Sequence, residues 1–261
     1  LSVADSAETQ LTTDGTKDTS YMKSVGMSGK GLGKIHWFAD SKSFVAERTV
    51  KLDDPKKLGF ISFAGARPTV LEYDYTMPGD PRTERTEYFF FRTDDKKPVA
   101  VAADKWADQT VALYPAGNAK KGSKHIYFTR KRRTCDEMDI CRIDPETGEV
   151  KLVFNEVSKP YFNEPFFHFS FLKGGDELLW WSERTGTGHL YRYDCEGNLL
   201  NALSSGPWVV GNVLKVDEKN GYVYFDGYGQ NPEENPYLSS VYKAPIDGKK
   251  RVRRLTPEEA M

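Results

Sequence analysis

The sequence lacks three features that would each place it in a broad class: an excess of one charge, a long apolar run and a cysteine framework. Its 37 basic and 38 acidic residues give a formal net charge of −1, so no global field favours nucleic acid as a partner. No apolar run approaches the ~18–20 residues that a membrane span requires, and no basic, apolar and small-residue leader opens the chain. We therefore expect neither a nucleic-acid partner nor a membrane span.

Three cysteines are too few for a disulfide framework. Cys135 and Cys141 enclose a predicted hairpin turn in CDEMDIC, and a cross-strand bridge requires their Cα atoms to lie within about 7 Å. Two free, half-buried thiols are the alternative, which the usual burial of free cysteine favours. Cys195 has no partner nearby in the sequence and is predicted to be free.

The content of aromatic residues, glycine and proline favours strands and turns. Aromatic residues make up 13% of the chain, with 22 glycines and 14 prolines, which suits a strand-rich protein better than a helical one. The segment around Trp180 to Gly206 shows the pattern most clearly, because apolar alternation and Gly-containing turns predict four successive strands there. These strands are predicted at 166–171, 177–182, 189–194 and 198–203.

The same four-strand pattern recurs about every 50 residues. Asp144, Asp194 and Asp247 each begin the turn between a third and a fourth strand, and they lie 50 and 53 residues apart. A single unit of this kind is apolar on both faces, so a neighbour must cover each side, as in a β-propeller. A β-sandwich would not repeat the whole unit. The predicted fold class is all-β, a β-propeller of four-stranded antiparallel blades.

Four complete blades are predicted, at about 34–103, 109–154, 166–203 and 208–256. Residues 1–12 are predicted to be the last two strands of a preceding blade. Closed propellers have roughly four to eight blades, so about four and a half blades describe a partial ring, and the chain is expected to be a piece of a longer one. Residues 51–85 interrupt the first complete blade, and insertions of about this length are typical of functional or contact segments.

Four segments carry a resemblance to a known family, and they run in the same order over almost all of the chain. They are IHWFADSKSFVAER (35–48), RPTVLEYDYTMPGD (67–80), MDICRIDPETGEVKLVF (138–154) and LLWWSERTGTGHLYRYDCEGNLLNALSSGPW (178–208). Together they resemble the N-terminal β-propeller of the dipeptidyl peptidase IV family, serine exopeptidases of the prolyl oligopeptidase clan.

The resemblance implies a propeller of about eight blades that precedes an α/β-hydrolase domain with a Ser-Asp-His triad in the same chain. A G-x-S-x-G nucleophile elbow is missing from this sequence, so the chain should not cleave peptides by itself. The implied role is to gate access and set specificity in a periplasmic or secreted serine dipeptidyl peptidase that releases N-terminal dipeptides from peptide substrates. The resemblance implies no cofactor and is compatible with a homodimer.

Two other functions stay open. One is a non-enzymatic binding propeller of the cell envelope, and the other is a homologue whose peptidase activity is altered or lost. The second is favoured by a local departure from the family. In the family, paired glutamates after a Tyr-containing segment bind the substrate's free amine. In DGTKDTSYMKSVG, Tyr21 falls at the tyrosine position, but Met22, Lys23 and Ser24 stand where the glutamates are expected. Either the alignment shifts locally, or a carboxylate elsewhere binds the amine.

A second site segment is PYFNEPFFHF, which is similar to a loop that lines the family's substrate cavity with a phenylalanine and an arginine. Phe162 takes the aromatic role and Asn163 replaces the arginine. The alternative for Phe162 is an aromatic side chain packed between blades. Tyr21, Phe162 and Asn163 are the predicted substrate-binding residues.

The remaining candidates for chemistry have simpler explanations. His36, His125, His168 and His189 lie on different predicted strands without i,i+2 or i,i+4 pairing, so their spacing predicts no metal site. GKGLGK (29–34) follows no predicted strand and opens no helix, so a flexible loop is predicted rather than a phosphate site.

Three further patterns predict structure rather than ligand binding. The basic run 130–133 is followed at once by acidic residues, which predicts charge pairing across a hairpin. Glu233 and Glu234 are adjacent in a long loop, where a solvated turn is favoured over a substitute site for an amine. Trp180 and Trp181 are neighbours in one strand and are predicted to pack on opposite faces of a blade.

Overall fold

The chain folds into antiparallel β-sheets. A computed structural model describes residues 8–25, 29–32, 35–94, 97–118 and 122–257. Within these ranges the only helical segments are two short 3-10 turns, Glu164–Phe166 and Lys173–Gly175. No described helix is long and apolar enough to cross a membrane. The all-β fold class is thus confirmed.

The first sheet and two hairpins beside it occupy residues 19–100. Their strands are β1 (Thr19–Ser20), β2 (Met22–Val25), β3 (Gly29–Leu32), β4 (Ile35–Trp37), β5 (Ser43–Lys51), β6 (Lys57–Ser62), β7 (Thr69–Asp74), β8 (Glu84–Arg92) and β9 (Pro98–Ala100). β5, β8 and β9 pair in that order, and β4 and β1 pair with successive parts of β5. β2 pairs with β3, and β6 pairs with β7.

Three more sheets follow, each with four strands in sequential antiparallel order. The second sheet contains β10 (Thr110–Asn118), β11 (Gly122–Lys131), β12 (Glu137–Ile143) and β13 (Val150–Val157). The third contains β14 (Phe169–Leu172), β15 (Glu177–Ser182), β16 (His189–Asp194) and β17 (Leu199–Ala202). The fourth contains β18 (Val209–Asp217), β19 (Tyr222–Tyr228), β20 (Ser239–Pro245) and β21 (Arg253–Arg254).

A separate apolar core lies between each pair of successive sheets. Ile126 and Phe128 of the second sheet pack against Val45 and Phe90 of the first, and two similar clusters join the second sheet to the third and the third to the fourth. Neighbouring side chains in a strand point to opposite faces of the sheet. Because apolar side chains lie on both faces of each inner sheet, both faces must be covered by a neighbouring sheet.

The two tryptophans of β15 show this two-sided burial directly. Trp180 is fully buried in the cluster between the second and third sheets, and Trp181 is 3% exposed in the cluster between the third and fourth. The prediction that they face opposite sides of a blade is confirmed.

The recurring aspartates close the turn between the third and fourth strands of a sheet. The Asp144 carboxylate accepts backbone N–H groups of Glu146 and Thr147 at 2.9 and 2.8 Å, and Asp194 accepts those of Glu196 and Asn198 at 2.9 and 2.8 Å. Asp247 accepts one from Lys249 at 3.0 Å. Short side chains with an acceptor oxygen stabilise such turns, which explains why the residue recurs at this turn in the second, third and fourth sheets.

Three expectations about local structure were wrong. Residues 8–12 form no strand, and Leu11 packs instead with Tyr21 against the outer face of the first sheet; residues 1–7 lie outside the described chain. The predicted loop at 29–34 contains β3, which pairs with β2; neither strand alternates apolar and polar residues, so no local pattern indicates them. The strand predicted at 166–171 begins at Phe169, because the 3-10 turn Glu164–Phe166, which contains Pro165, occupies its predicted start.

The interruption at 51–85 is a projecting hairpin. β5 and β8 extend to Lys51 and Glu84, and between them β6 and β7 pair only with each other. Almost every residue of this hairpin is exposed, including Phe63 at 74% and Val70 at 66%. The segment therefore lies outside the stack of sheets.

Candidate functional site

Tyr21 lies on the outer face of the first sheet. Its ring meets Phe89 and Phe91 edge to face, with centroids 5.9 and 6.4 Å apart. The Arg48 guanidinium lies 5.7 Å from the Tyr21 centroid and 4.2 Å from that of Phe89, distances at which a cation and an aromatic ring attract. Glu87 accepts hydrogen bonds from Arg48 Nη2 and Nε at 2.6 and 3.0 Å.

The charges around Tyr21 balance one another. Arg48 also forms an ion pair with Asp14. Burial and the Asp14 charge raise the pKa of the Tyr21 hydroxyl. Burial opposes ionisation of Glu87, but hydrogen bonds from Arg48 and Arg85 outweigh it and lower the pKa of this carboxyl. Both carboxylates beside Tyr21 are thus already engaged by Arg48, and β2, with Met22, Lys23 and Ser24, begins directly after it.

Phe162 and Asn163 lie in the connection between the second and third sheets. Phe162 is 8% exposed and packs in the cluster that contains Trp180 and Tyr191. The structure therefore has the alternative for Phe162, an aromatic side chain packed between blades. Asn163 precedes the 3-10 turn and lines a cleft of about 670 Å³ together with residues 157–161 and the turn after β15. The structure places Tyr21 in a different cluster from Phe162.

An organised polar group of this cleft, which the sequence did not predict, is centred on Arg184. Arg184 Nη2 lies 2.6 Å from an oxygen of Glu156, a side chain that is 7% exposed. Arg184 Nε donates to Ser182 Oγ at 3.0 Å, and the guanidinium lies 4.4 Å from the centroid of Tyr191. Arg184 also donates to the hydroxyl of Tyr193. These contacts hold a half-buried cation at the wall of the cleft.

No local pattern marks this group in the sequence. Glu156 precedes Arg184 by 28 residues, and the two belong to different sheets. An acidic residue near the end of an outer strand is the one available signal, and it is too common to be selective. The cleft therefore combines one predicted residue, Asn163, with one that only the fold identifies.

The histidines form no Ser-His-carboxylate triad among the described residues. Burial lowers the pKa of His168 to about 4, and neither His168 nor His189 has a carboxylate partner in the part of the chain that the structure describes. The polar partners of the four histidines are Glu47 for His36, Asp176 for His125, Ser170 for His168, and Ser204 with the Gly206 carbonyl for His189.

His125 is nevertheless part of a group of metal-ligating residue types. One potential ligand atom each from His125, Asp176 and Cys195 lies within 4.8 Å of the others. Burial lowers the pKa of His125 despite its hydrogen bond with Asp176, which favours the neutral imidazole that binds metals. The histidine spacing predicted no such group, because its other members are not histidines and come from distant turns.

The three cysteines are free thiols. Cys141 is buried in the core between the first and second sheets, and burial raises the pKa of its thiol to about 11. Cys135 is half-buried in the hairpin turn before β12. The structure therefore has the free thiols rather than the cross-strand bridge.

The basic run is paired with acidic residues, as predicted. Arg130 Nε lies 2.8 Å from an oxygen of Asp139, which is fully buried, and Arg132 lies 3.5 Å from Asp136. In the fourth sheet, Arg254 Nη1 lies 2.7 Å from Glu234. These charges serve as contacts within and between hairpins.

Comparisons with known proteins place the chain in one family. The family described as dipeptidyl peptidase IV (DPP IV) N-terminal region matches residues 1–261. The probable dipeptidyl peptidase 4 of Arthroderma benhamiae is 20% identical over 165 residues, which cover 62% of this chain and 21% of that protein. Dipeptidyl peptidase 4 of Trichophyton equinum is 26% identical over 107 residues, which cover 40% of this chain and 14% of that protein. The chain thus spans about a fifth or less of the curated relatives' length.

Two solved structures share the fold. Dipeptidyl peptidase 4 of Porphyromonas gingivalis has a TM-score of 0.68 and 20% identity, covering 97% of this chain and 35% of that one. A putative dipeptidyl aminopeptidase IV of Bacteroides ovatus has a TM-score of 0.62 and 17% identity, covering 92% and 35%. The stacked sheets and their order are therefore those of a known architecture.

Proposed function

Because the chain belongs to the dipeptidyl peptidase IV N-terminal region family, we propose that it gates substrate access and sets specificity in a serine-type dipeptidyl peptidase. The observation that carries this proposal is the family match over all 261 residues. The parent enzyme would release N-terminal dipeptides from peptides, with its triad in an α/β-hydrolase domain of the same chain. A periplasmic or secreted location belongs to the same proposal.

The cleft beside Asn163 is the proposed peptide contact of this domain. Asn163 and Arg184 both line it, and an amide and a guanidinium can each donate hydrogen bonds to peptide carbonyl groups. Glu156 keeps Arg184 in a fixed direction, which reduces the ordering that binding would otherwise require. Phe162 supports this loop from the core rather than meeting the peptide directly, whereas Tyr21 remains a separate proposed contact on the first sheet.

Recognition of the substrate amine is the part of this function that is proposed to differ. Met22, Lys23 and Ser24 stand where an acidic pair is expected, and a desolvated ammonium group needs carboxylates. Asp14 and Glu87 are the acidic residues around Tyr21, and both bind Arg48. This observation favours the second candidate, a homologue with altered or lost peptidase activity, over an envelope scaffold.

The test is an activity assay of the full-length natural protein on Gly-Pro and Ala-Ala amides. We expect dipeptide release, its loss when the substrate amine is acetylated, and its loss after treatment with a serine-directed fluorophosphonate. Residues 1–261 alone should release nothing. Cleavage that tolerates acetylation would indicate altered register, and absence of cleavage by a folded full-length protein would support a lost activity or the binding propeller.

A homodimer is proposed as the assembly, and the hairpin β6–β7 supplies a surface for it. Ile61, Phe63 and Val70 are each more than half exposed. Contiguous exposed apolar surface of this kind is typical of contact sites. The hairpin also has unpaired strand edges, which a second copy can extend.

A further inference from the structure

The group formed by His125, Asp176 and Cys195 lies between the second and third sheets. His125 is on β11, Asp176 follows the 3-10 turn before β15, and Cys195 follows β16. The Cys195 backbone N–H donates to the Asp176 carbonyl at 2.9 Å, which ties the two turns of the third sheet together. Two elements of the third sheet thus meet one strand of the second at this point.

The turn that carries Asp176 is held tightly against the second sheet. Gly175 has a φ of 105°, and a Cβ there would lie 2.6 Å from the Cβ of Ala116, so only glycine allows this approach. The Tyr127 hydroxyl donates to the Gly175 carbonyl at 2.6 Å. The fold therefore positions Asp176 beside His125 before any ligand arrives.

The donor set suits a zinc ion. His125 Nε2 lies 3.0 Å from Asp176 Oδ1, a few tenths of an ångström less than the ~3.3 Å that separates two ligands of one tetrahedral zinc with bonds of about 2 Å. One nitrogen, one oxygen and one sulfur donor are all ligands that zinc accepts.

One cation already lies at this group. Lys124 Nζ lies 2.7 Å from each oxygen of Asp176, on a side chain that is 60% exposed. An exposed ion pair of this kind contributes little stability, so a divalent cation can displace the ammonium group into solvent. Arg142 is paired with Glu196 at 2.9 Å, which offsets its charge near Cys195.

We propose that His125, Asp176 and Cys195 bind a zinc ion that joins the second sheet to the third. Cys195 binds as the thiolate, its proton passes to solvent, and a water molecule completes the four ligands. The site does not depend on the proposed peptidase function, and its role is to fix the contact between two sheets.

The test uses the full-length natural protein, freed of metal with a chelator and titrated with Zn²⁺ or Co²⁺ alone. We expect one zinc per chain in calorimetry, a rise in the thermal midpoint, and a thiolate-to-cobalt charge-transfer band in the near ultraviolet. Cys195→Ser should abolish the band, and His125→Gln and Asp176→Asn should each lower zinc affinity more than about tenfold.

Two kinds of control separate this site from adventitious binding. Cys135→Ser and His168→Gln change the same residue types outside the group and should leave the band and the affinity unchanged. Lys124→Gln removes the competing cation and should raise zinc affinity. The proposal is overturned if Co²⁺ gives no thiolate band, or if Cys195→Ser and Cys135→Ser bind zinc equally well; the group is then a hydrogen-bonded cluster only. Peptidase activity is assayed separately, so either proposal can fail alone.

Discussion

At the scale of single residues, the glycines that end the aspartate turns make close contacts between sheets. Gly148, Gly197 and Gly248 have φ angles of 76°, 91° and 68°. A Cβ at Gly148 would lie 2.7 Å from Phe90, and one at Gly197 would lie 1.9 Å from the carbonyl oxygen of Val153. Each turn thus touches the sheet before it, and the absence of a side chain matters for contact as well as for backbone conformation.

This contact predicts unequal effects for two similar substitutions. Gly197→Ala and Gly186→Ala both place alanine at a φ near 90°, but a Cβ at Gly186 meets nothing within 4 Å. We expect Gly186→Ala to lower the free energy of unfolding by about 1–2 kcal/mol through backbone strain alone. Gly197→Ala should cost roughly 3 kcal/mol or more, because the neighbouring backbone must also move.

Urea denaturation followed by tryptophan fluorescence measures both variants of the glycine pair. Equal losses in the free energy of unfolding would contradict this prediction, because they would show that the close approach of Gly197 to Val153 does not matter for stability.

At the scale of elements, the projecting hairpin differs from the central strands of the sheets. Central strands such as β5, β12, β15 and β19 bury at least one face, whereas β6 and β7 expose both. A two-stranded hairpin alone is marginally stable in water. The cross-strand contact of Phe60 with Tyr73, with centroids 6.1 Å apart, and the long flanking strands β5 and β8 hold it in place.

The hairpin yields a test of the proposed homodimer. Replacing both Ile61 and Val70 with Asp puts charge on its apolar surface, and we expect the dimer of the full-length protein to dissociate into monomers in light scattering. Because these side chains are exposed, the thermal midpoint of the monomer should stay within a few degrees of wild type.

The matched control for the hairpin is Tyr237→Asp, which changes an 88% exposed side chain in a loop of the fourth sheet. This variant should remain dimeric. A dimer that survives the Ile61 and Val70 substitutions would place the subunit contact elsewhere on the molecule.

At the scale of the whole molecule, the sheets form a stack in which each core belongs to one pair of neighbours. Ile126 and Ile143 lie in the cluster between the first and second sheets, and Phe225 lies in the cluster between the third and fourth. Stability in such arrays is approximately a sum of unit and nearest-neighbour contributions. Perturbations in separate clusters should therefore act independently.

Double substitutions test this independence. Ile126→Val and Phe225→Leu should each cost about 1 kcal/mol, and their effects should add within roughly 0.5 kcal/mol. Ile126→Val and Ile143→Val change directly opposed residues of β11 and β12, so their combined effect should depart from the sum. Chemical denaturation of the single and double variants measures both cases, and strong coupling between Ile126 and Phe225 would contradict separate cores.

The strands and their grouping could be predicted from the sequence because the signals for them are local. Alternation along β15 placed Trp180 and Trp181 on opposite faces, and Asp144, Asp194 and Asp247 marked equivalent turns. Four segments in the same order as in the family indicated the dipeptidyl peptidase IV family, and the family match over residues 1–261 confirmed it. Local signals were too weak for β2 and β3, which lack alternation and depend on each other for pairing.

The sequence by itself determined the fold class, the repeat and the two-sided burial of each sheet, because side-chain alternation and turn chemistry act over a few residues. Only the tertiary structure decided which distant side chains meet: Arg184 with Glu156 at the cleft, and His125 with Asp176 and Cys195 between two sheets. These meetings depend on how closely one sheet approaches the next. That approach is set by contacts such as Gly175 against Ala116, which leave no pattern in the sequence around the residues they bring together.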